Sequence, residues 1–129
     1  MSAQNQEHEQ EMDLMESKMT ELFEKTKKLS VLISKNLKEK NSIELIMKLI
    51  EKLEQLATEE LTIRWKYCEM NGKTEEDIVE FHEIFTNRTK NVKVFKKRFL
   101  GLIEYFKALE EELKRRGLNT HCACGKCYK

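Results

Sequence analysis

Apolar residues recur at alternating steps of three and four through Ile78, Phe81, Phe85, Val92, Phe95, Phe99, Leu102, Phe106, Leu109 and Leu113, with Arg88 as the only interruption. This spacing lays the side chains along one seam of a helix, and a seam kept for about five heptads requires another helix against it. Upstream, Ile46, Leu49, Leu53, Leu56, Ile63, Tyr67 and Met70 form a second ladder, interrupted by Glu60. A third and poorer ladder runs through Met12, Met15, Met19, Leu22, Leu29 and Ile33, with Thr26 at a seam position and the phase lost after Ile33. Three helices are expected, over about 8–40, 42–70 and 75–116, between a frayed stretch at 1–7 and a tail at 117–129.

The joints between ladders carry their own chemistry. Gly72 offers the left-handed residue that closes a helix, and Thr74 followed by Glu75, Glu76 and Asp77 supplies a capping hydroxyl and negative charge for the next amino terminus. The third helix is expected to stop at Lys114-Arg115-Arg116-Gly117, with cations on its carboxyl end and a glycine after them. Gly101 lies inside it and weakens it locally by roughly 1 kcal/mol relative to alanine. Asn41, with Glu44 three residues on, reads as the capping pair that separates the first two helices, although no glycine or proline enforces a break there. The expected fold is all-α: an antiparallel helical hairpin or an elongated three-helix bundle or coiled coil, with a long C-terminal helix and a short cysteine-rich tail.

Composition narrows this further. In 129 residues, 36% are charged and 8% aromatic, which suits one domain with a thin, elongated core. Proline is absent and glycine occurs four times, so the usual punctuation of strand-rich folds is missing. The longest apolar run, Phe99 to Ile103, is far short of a membrane span, and the acidic first 25 residues lack the apolar centre of a signal peptide. An intracellular protein, cytoplasmic or nuclear, is expected. Charge is unevenly spread: residues 1–85 hold 12 Lys and Arg against 19 Asp and Glu, while residues 86–129 hold 12 against 4. The favoured consequence is that the two halves lie against each other and neutralise; the alternative is that the basic half faces an acidic partner.

Few residues suggest chemistry. His121, Cys122, Cys124 and Cys127 place four potential ligands within seven residues, and the Cys124/Cys127 spacing suits a soft metal such as zinc. The set lacks the distant second ligand pair of a zinc finger or ribbon, so two chains would have to share a site, and a reduced or modified tail is the competing reading. Gly72-Lys73-Thr74 imitates the end of a phosphate-binding loop, but Tyr67 stands where that loop needs its first glycine. Adjacent glutamates at 59/60, 75/76 and 111/112 diverge by about 100° on a helix, so they do not flank a substrate. No catalytic residue, resident cofactor or small-molecule substrate is expected.

Two surfaces remain as candidates. Phe95, Phe99, Leu102, Phe106, Leu109 and Leu113 form the expected partner interface, because the third helix outruns its neighbours by about ten residues. Arg88, Lys90, Lys93, Lys96, Lys97 and Arg98 form a basic patch whose interleaved aromatics belong to the seam. The expected function is a non-catalytic helical scaffold or adaptor subunit, working by coiled-coil pairing with a helical protein or with itself. By analogy of class, its setting would be a chromosome- or cytoskeleton-associated assembly. The alternatives are a binder of nucleic acid or acidic membrane through residues 88–106, and a small zinc-binding protein through the 121–127 tail.

Overall fold

In the computed structural model, which describes residues 3–117, the chain forms α1 (Ala3–Lys38), α2 (Ile43–Met70) and α3 (Glu75–Arg115), with no strand among the described residues. The cysteine-rich tail lies outside the described residues. The helices run up, down and up as a three-helix bundle, α2 antiparallel to both neighbours. Register follows from contacts across it: Tyr67 of α2 donates to the Glu16 carboxylate of α1, and Lys96 of α3 reaches Glu54 of α2 at 2.6 Å. Between the parallel pair, Asn91 bonds Ser30 at 3.3 Å and Arg98 bonds Ser34 at 3.1 Å.

Each reversal is built from backbone hydrogen bonds that finish one helix and a side chain that starts the next. At the end of α1, Asn41 N–H donates to the Asn36 carbonyl at 3.0 Å and Lys40 N–H to the Leu37 carbonyl at 3.2 Å, around Lys40 at φ 54°. The same two bonds recur at the end of α2, from Lys73 to Cys68 at 3.0 Å and from Gly72 to Glu69 at 3.2 Å, around Gly72 at φ 95°. Both are Schellman closures, which satisfy carbonyls that a helix end otherwise leaves bare. The cap of α2 is Ser42, whose hydroxyl accepts from Leu45 N–H at 3.4 Å, and not Asn41. Asn41 instead donates its side-chain amide to Asn36 Oδ1 at 2.9 Å, tying the turn to the buried end of α1. Thr74 and Asp77 make a reciprocal capping box at the start of α3, with bonds of 3.2 and 3.3 Å. Its hydrogen bonds from Thr74, and then from Asn71, hold the Asp77 carboxyl below the usual carboxylate range.

The largest cluster of buried side chains sits near the α1–α2 turn: Ile33 and Leu37 from α1, Ile46, Ile50 and Leu53 from α2, and Val92, Phe95 and Leu102 from α3, with Leu29, Leu49, Phe99 and Phe106 packed against it. The opposite end is packed by Met15, Met19, Leu22 and Cys68, and by Trp65 edge-on to Phe81 with ring centroids 5.0 Å apart. The core is therefore a narrow column. Two residues of the α3 ladder leave it, Phe85 at 44% exposed and Leu109 at 42%; beside the first, Ile84 is half-buried. An α-helix drifts about 20° per heptad against a strict seven-residue repeat, which carries the seam from one neighbour to the next.

Gly72→Ala should destabilise the bundle by about 1 kcal/mol, because the new Cβ meets nothing within 4 Å and the whole cost is the left-handed backbone. Urea unfolding followed by circular dichroism measures it; Gly101→Ala, at a helical glycine with equally open surroundings, should stabilise instead, by up to about 1 kcal/mol.

Candidate interaction surface

The polar interruptions of the three ladders meet in one layer. Glu60 of α2 is fully buried, and its carboxylate accepts from Arg88 of α3 at two atoms, Nε at 2.8 Å and Nη2 at 3.1 Å. Arg64, one turn along α2, adds a third bond to the same carboxylate at 2.6 Å. On its other side the Arg88 guanidinium lies 4.1 Å from the centroid of the Phe23 ring of α1, close to buried Thr26. Thr26 satisfies its own hydroxyl on the Phe23 carbonyl at 2.7 Å. Desolvation of the Glu60 carboxyl is the largest single influence on it and acts to raise its pKa. The hydrogen bonds and charges of Arg88 and Arg64 together outweigh that and hold it below the ordinary carboxylate value. A carboxylate at this depth stays ionised because two guanidinium groups surround it.

The two tight turns set which ends of the helices lie together, and with them the charges, while this layer holds the register. Residues 7–24 and 59–85, which make up the end bearing the α2–α3 turn, carry 15 acidic and 4 basic side chains. Residues 25–58 and 86–117, at the other end, carry 8 acidic and 18 basic. The expected neutralisation of the two sequence halves does not occur. The basic part of α3 lies beside the Lys-rich second half of α1, and the acidic start of α3 beside the acidic first half of α1, because α1 and α3 are parallel. The bundle is charged −11 at one end and +10 at the other. Two of its three helices begin at the acidic end and finish at the basic one, the orientation that their macrodipoles favour.

The basic patch does not form one surface. Arg88 is in the interior, with 13% of its side chain exposed. Lys96 is paired with Glu54 on the α2 flank, and Lys93 lines a groove with Thr58 and Leu61. Arg98 turns toward α1, while Lys90 and Lys97 point outward, with no ion pair among the described residues. Of the apolar interface set, Phe95 and Leu102 are buried in the core and Phe99 and Phe106 pack on it. Phe106 shares a groove with Lys40, Asn41, Ser42, Ile43 and Glu44 of the α1–α2 turn. Leu109, 42% exposed, and half-buried Leu113 follow beyond that turn.

Other titratable groups are structural. Burial pushes the Cys68 thiol up, which leaves it a poor nucleophile. The hydrogen bond to Glu16 pushes the Tyr67 phenol up to about 12. No group of three or more His, Cys, Asp or Glu side chains suited to a metal is found among the described residues, and His121, Cys122, Cys124 and Cys127 fall outside them. No described helix is long and apolar enough to cross a membrane. No protein-family model, curated protein or solved structure matches the chain.

Arg88→Met should cost about 3 kcal/mol, since it strands a fully buried carboxylate with one partner, whereas the paired Glu60→Leu/Arg88→Leu change should fall within about 1 kcal/mol of the wild type. Urea unfolding of each variant beside the wild type reads both. Because the Glu60 pKa is lowered on folding, its contribution is complete above the unfolded value of 4.5 and is lost as pH falls through the lower folded value. Stability should therefore drop below about pH 4.5, and by a smaller amount in Glu60→Gln.

Proposed function

We infer that this protein is a non-catalytic helical adaptor, whose bundle holds out the end of α3 for a helical partner. One observation carries it: the α3 seam continues past the α1–α2 turn, so that Leu109 and Leu113 extend a core ladder where neither α1 nor α2 is alongside to cover it. α3 has 41 residues, about 62 Å at 1.5 Å per residue, against 28 in α2. An apolar stripe that overruns its own bundle is completed by a helix from elsewhere, which lays anchors at the same three- and four-residue spacing into it. Phe106 links this stripe to the closed core, so a partner docked on Leu109 and Leu113 sits on a rigid platform. The grooves elsewhere on the molecule are open to solvent along the helices and lined by a mixture of charged, polar and apolar side chains, which suits contact with another protein better than enclosure of a small substrate. A chromosome- or cytoskeleton-associated assembly is the setting we propose, by analogy with other long-helix subunits.

A second reading, binding to nucleic acid or acidic membrane, draws on the +10 end. It is the weaker one, because Arg88 and Lys96 are already engaged within the chain.

Leu109→Asp/Leu113→Asp should leave the melting temperature within about 2 °C of the wild type, since both positions lie beyond the buried cluster. Quantitative cross-linking mass spectrometry of the full chain in cells should lose the helical partner seen with the wild type. An unchanged set of cross-linked proteins from a folded variant would contradict this function.

A further inference from the structure

α3 packs closely on α2 but approaches α1 at few places, so α1 and α3 lie side by side with an open furrow between them. Three grooves follow that furrow from end to end. Glu16, Asp77 and Glu80 line the first; Lys27, Val31, Asn87 and Asn91 the second; and Lys40, Arg98, Gly101 and Tyr105 the third. Its apolar positions are uncovered: Val31 is 71% exposed, Val94 45% and Tyr105 46%. Helical spacing puts Glu76, Glu80 and Glu83 on the outward side of α3 at one end of this face, and Lys90 and Lys97 at the other. All five are exposed, and none has an ion pair among the described residues. On α1, Glu9, Asp13 and Glu16 lead into Lys27, Lys35 and Lys38 along the corresponding side.

We propose that this α1/α3 face docks on the same face of a second copy of the chain, with the two bundles antiparallel. The occupant follows from charge. A face that is acidic at one end and basic at the other is complementary to itself only when reversed. Of the two twofold arrangements that bring identical faces together, an axis along the helices sets acid on acid and base on base. An axis across them sets α3 antiparallel to its copy, Glu76, Glu80 and Glu83 opposite Lys90, Lys97 and Arg98, and α1 likewise. Within one chain, parallel α1 and α3 crowd like charges at each end, a repulsion that reversed docking relieves. The extent is sufficient: α1 and α3 run together for about 30 residues, so the face measures about 45 Å by 20 Å. That is close to the roughly 800 Å² per partner of a stable interface. The contact would be polar, with Val31, Val94 and Tyr105 at intervals within it, and Gly101 allowing close approach. This deepens the adaptor function and rests on it, but it uses a face separate from the Leu109/Leu113 stripe.

Sedimentation velocity of the full chain, under reducing conditions and across a salt series, tests it. The wild type should be dimeric at low salt and should lose affinity by at least tenfold between about 0.05 and about 0.5 M salt, as the Debye length shortens from about 14 Å to about 4 Å. Glu80→Lys/Glu83→Lys and Lys90→Glu/Lys97→Glu should each be a folded monomer by circular dichroism, and an equimolar mixture of the two should form a heterodimer. Any of these results would overturn the proposal: a wild type monomeric throughout, swapped variants that still dimerise, a mixture that stays monomeric, or a monomer retained on heparin, which would assign the basic end to a polyanion. Leu109→Asp/Leu113→Asp should dimerise normally. If that variant alone loses its cellular partner while still dimerising, the two surfaces are separate; if it dimerises no better than the charge swaps, the face proposed here is wrong.

Discussion

Burying one carboxylate between two guanidinium groups constrains this bundle more than any apolar contact does. Leucine and isoleucine side chains tolerate a shift of one helix past another by a turn, because one apolar contact replaces a similar one. Glu60 does not: with none of its side chain exposed, a slipped α3 would leave its charge desolvated and held by Arg64 alone. Such a layer adds little net stability compared with apolar residues of the same volume. It penalises the alternatives, as polar groups at coiled-coil core positions do. Arg88 serves both neighbours at once, since its guanidinium bonds α2 on one side and stacks on Phe23 of α1 on the other.

The charge distribution follows from the course of the helices that this register holds in place. Were α3 reversed, its basic stretch would lie beside the acidic halves of α1 and α2, and the bundle would be close to neutral along its length; the tight 71–74 turn forbids that, and the Glu60–Arg88 layer holds the resulting parallel α1/α3 pair in step. Locked as it is, the molecule separates 15 acidic residues from 18 basic ones between two ends. The separation follows the helix macrodipoles, but it is much larger than the half-charge at each terminus requires. A monomer gains nothing from crowding like charges; an assembly gains orientation from it. The apolar overhang at Leu109 and Leu113 and the dipolar α1/α3 face are thus two results of one packing decision, the first from helix length and the second from helix register.

Much of the fold was legible because the local signals agree. Gly72, Thr74 and Asp77 mark one reversal without ambiguity, and the structure closes it with the expected caps. The other reversal was harder to read, since Lys40 takes the left-handed position usually given to glycine. In sequence the apolar α1 seam loses phase after Ile33 because the next core position is Asn36, whose side chain is satisfied locally, donating to the Leu32 carbonyl and accepting from Asn41. The polar layer was visible only in pieces. Thr26, Glu60 and Arg88 each stood out as a flaw in a ladder, and their pairing needs the helix register. A signal was present: Glu60 and Arg88 lie 14 residues either side of Thr74, and Thr26 and Glu60 lie 17 either side of Ile43, so the flaws superpose when each hairpin is folded at its turn. The basic stretch of α3 misled for the opposite reason. Its residues are contiguous in sequence but diverge around the helix, into the interior, onto α2, toward α1 and outward.

The most direct test is the nuclear magnetic resonance signal of the Arg88 Nε–H at neutral pH. In a bundle registered by this layer, that proton is hydrogen-bonded to Glu60 Oε1 beneath the Phe23 ring. It should appear as a resolved, slowly exchanging resonance with nuclear Overhauser contacts to the Phe23 ring protons, and Glu60→Gln should shift it and speed its exchange. An Arg88 Nε–H that exchanges like that of a solvent-exposed arginine, with no contact to Phe23, would contradict the register and the charge separation that it holds in place.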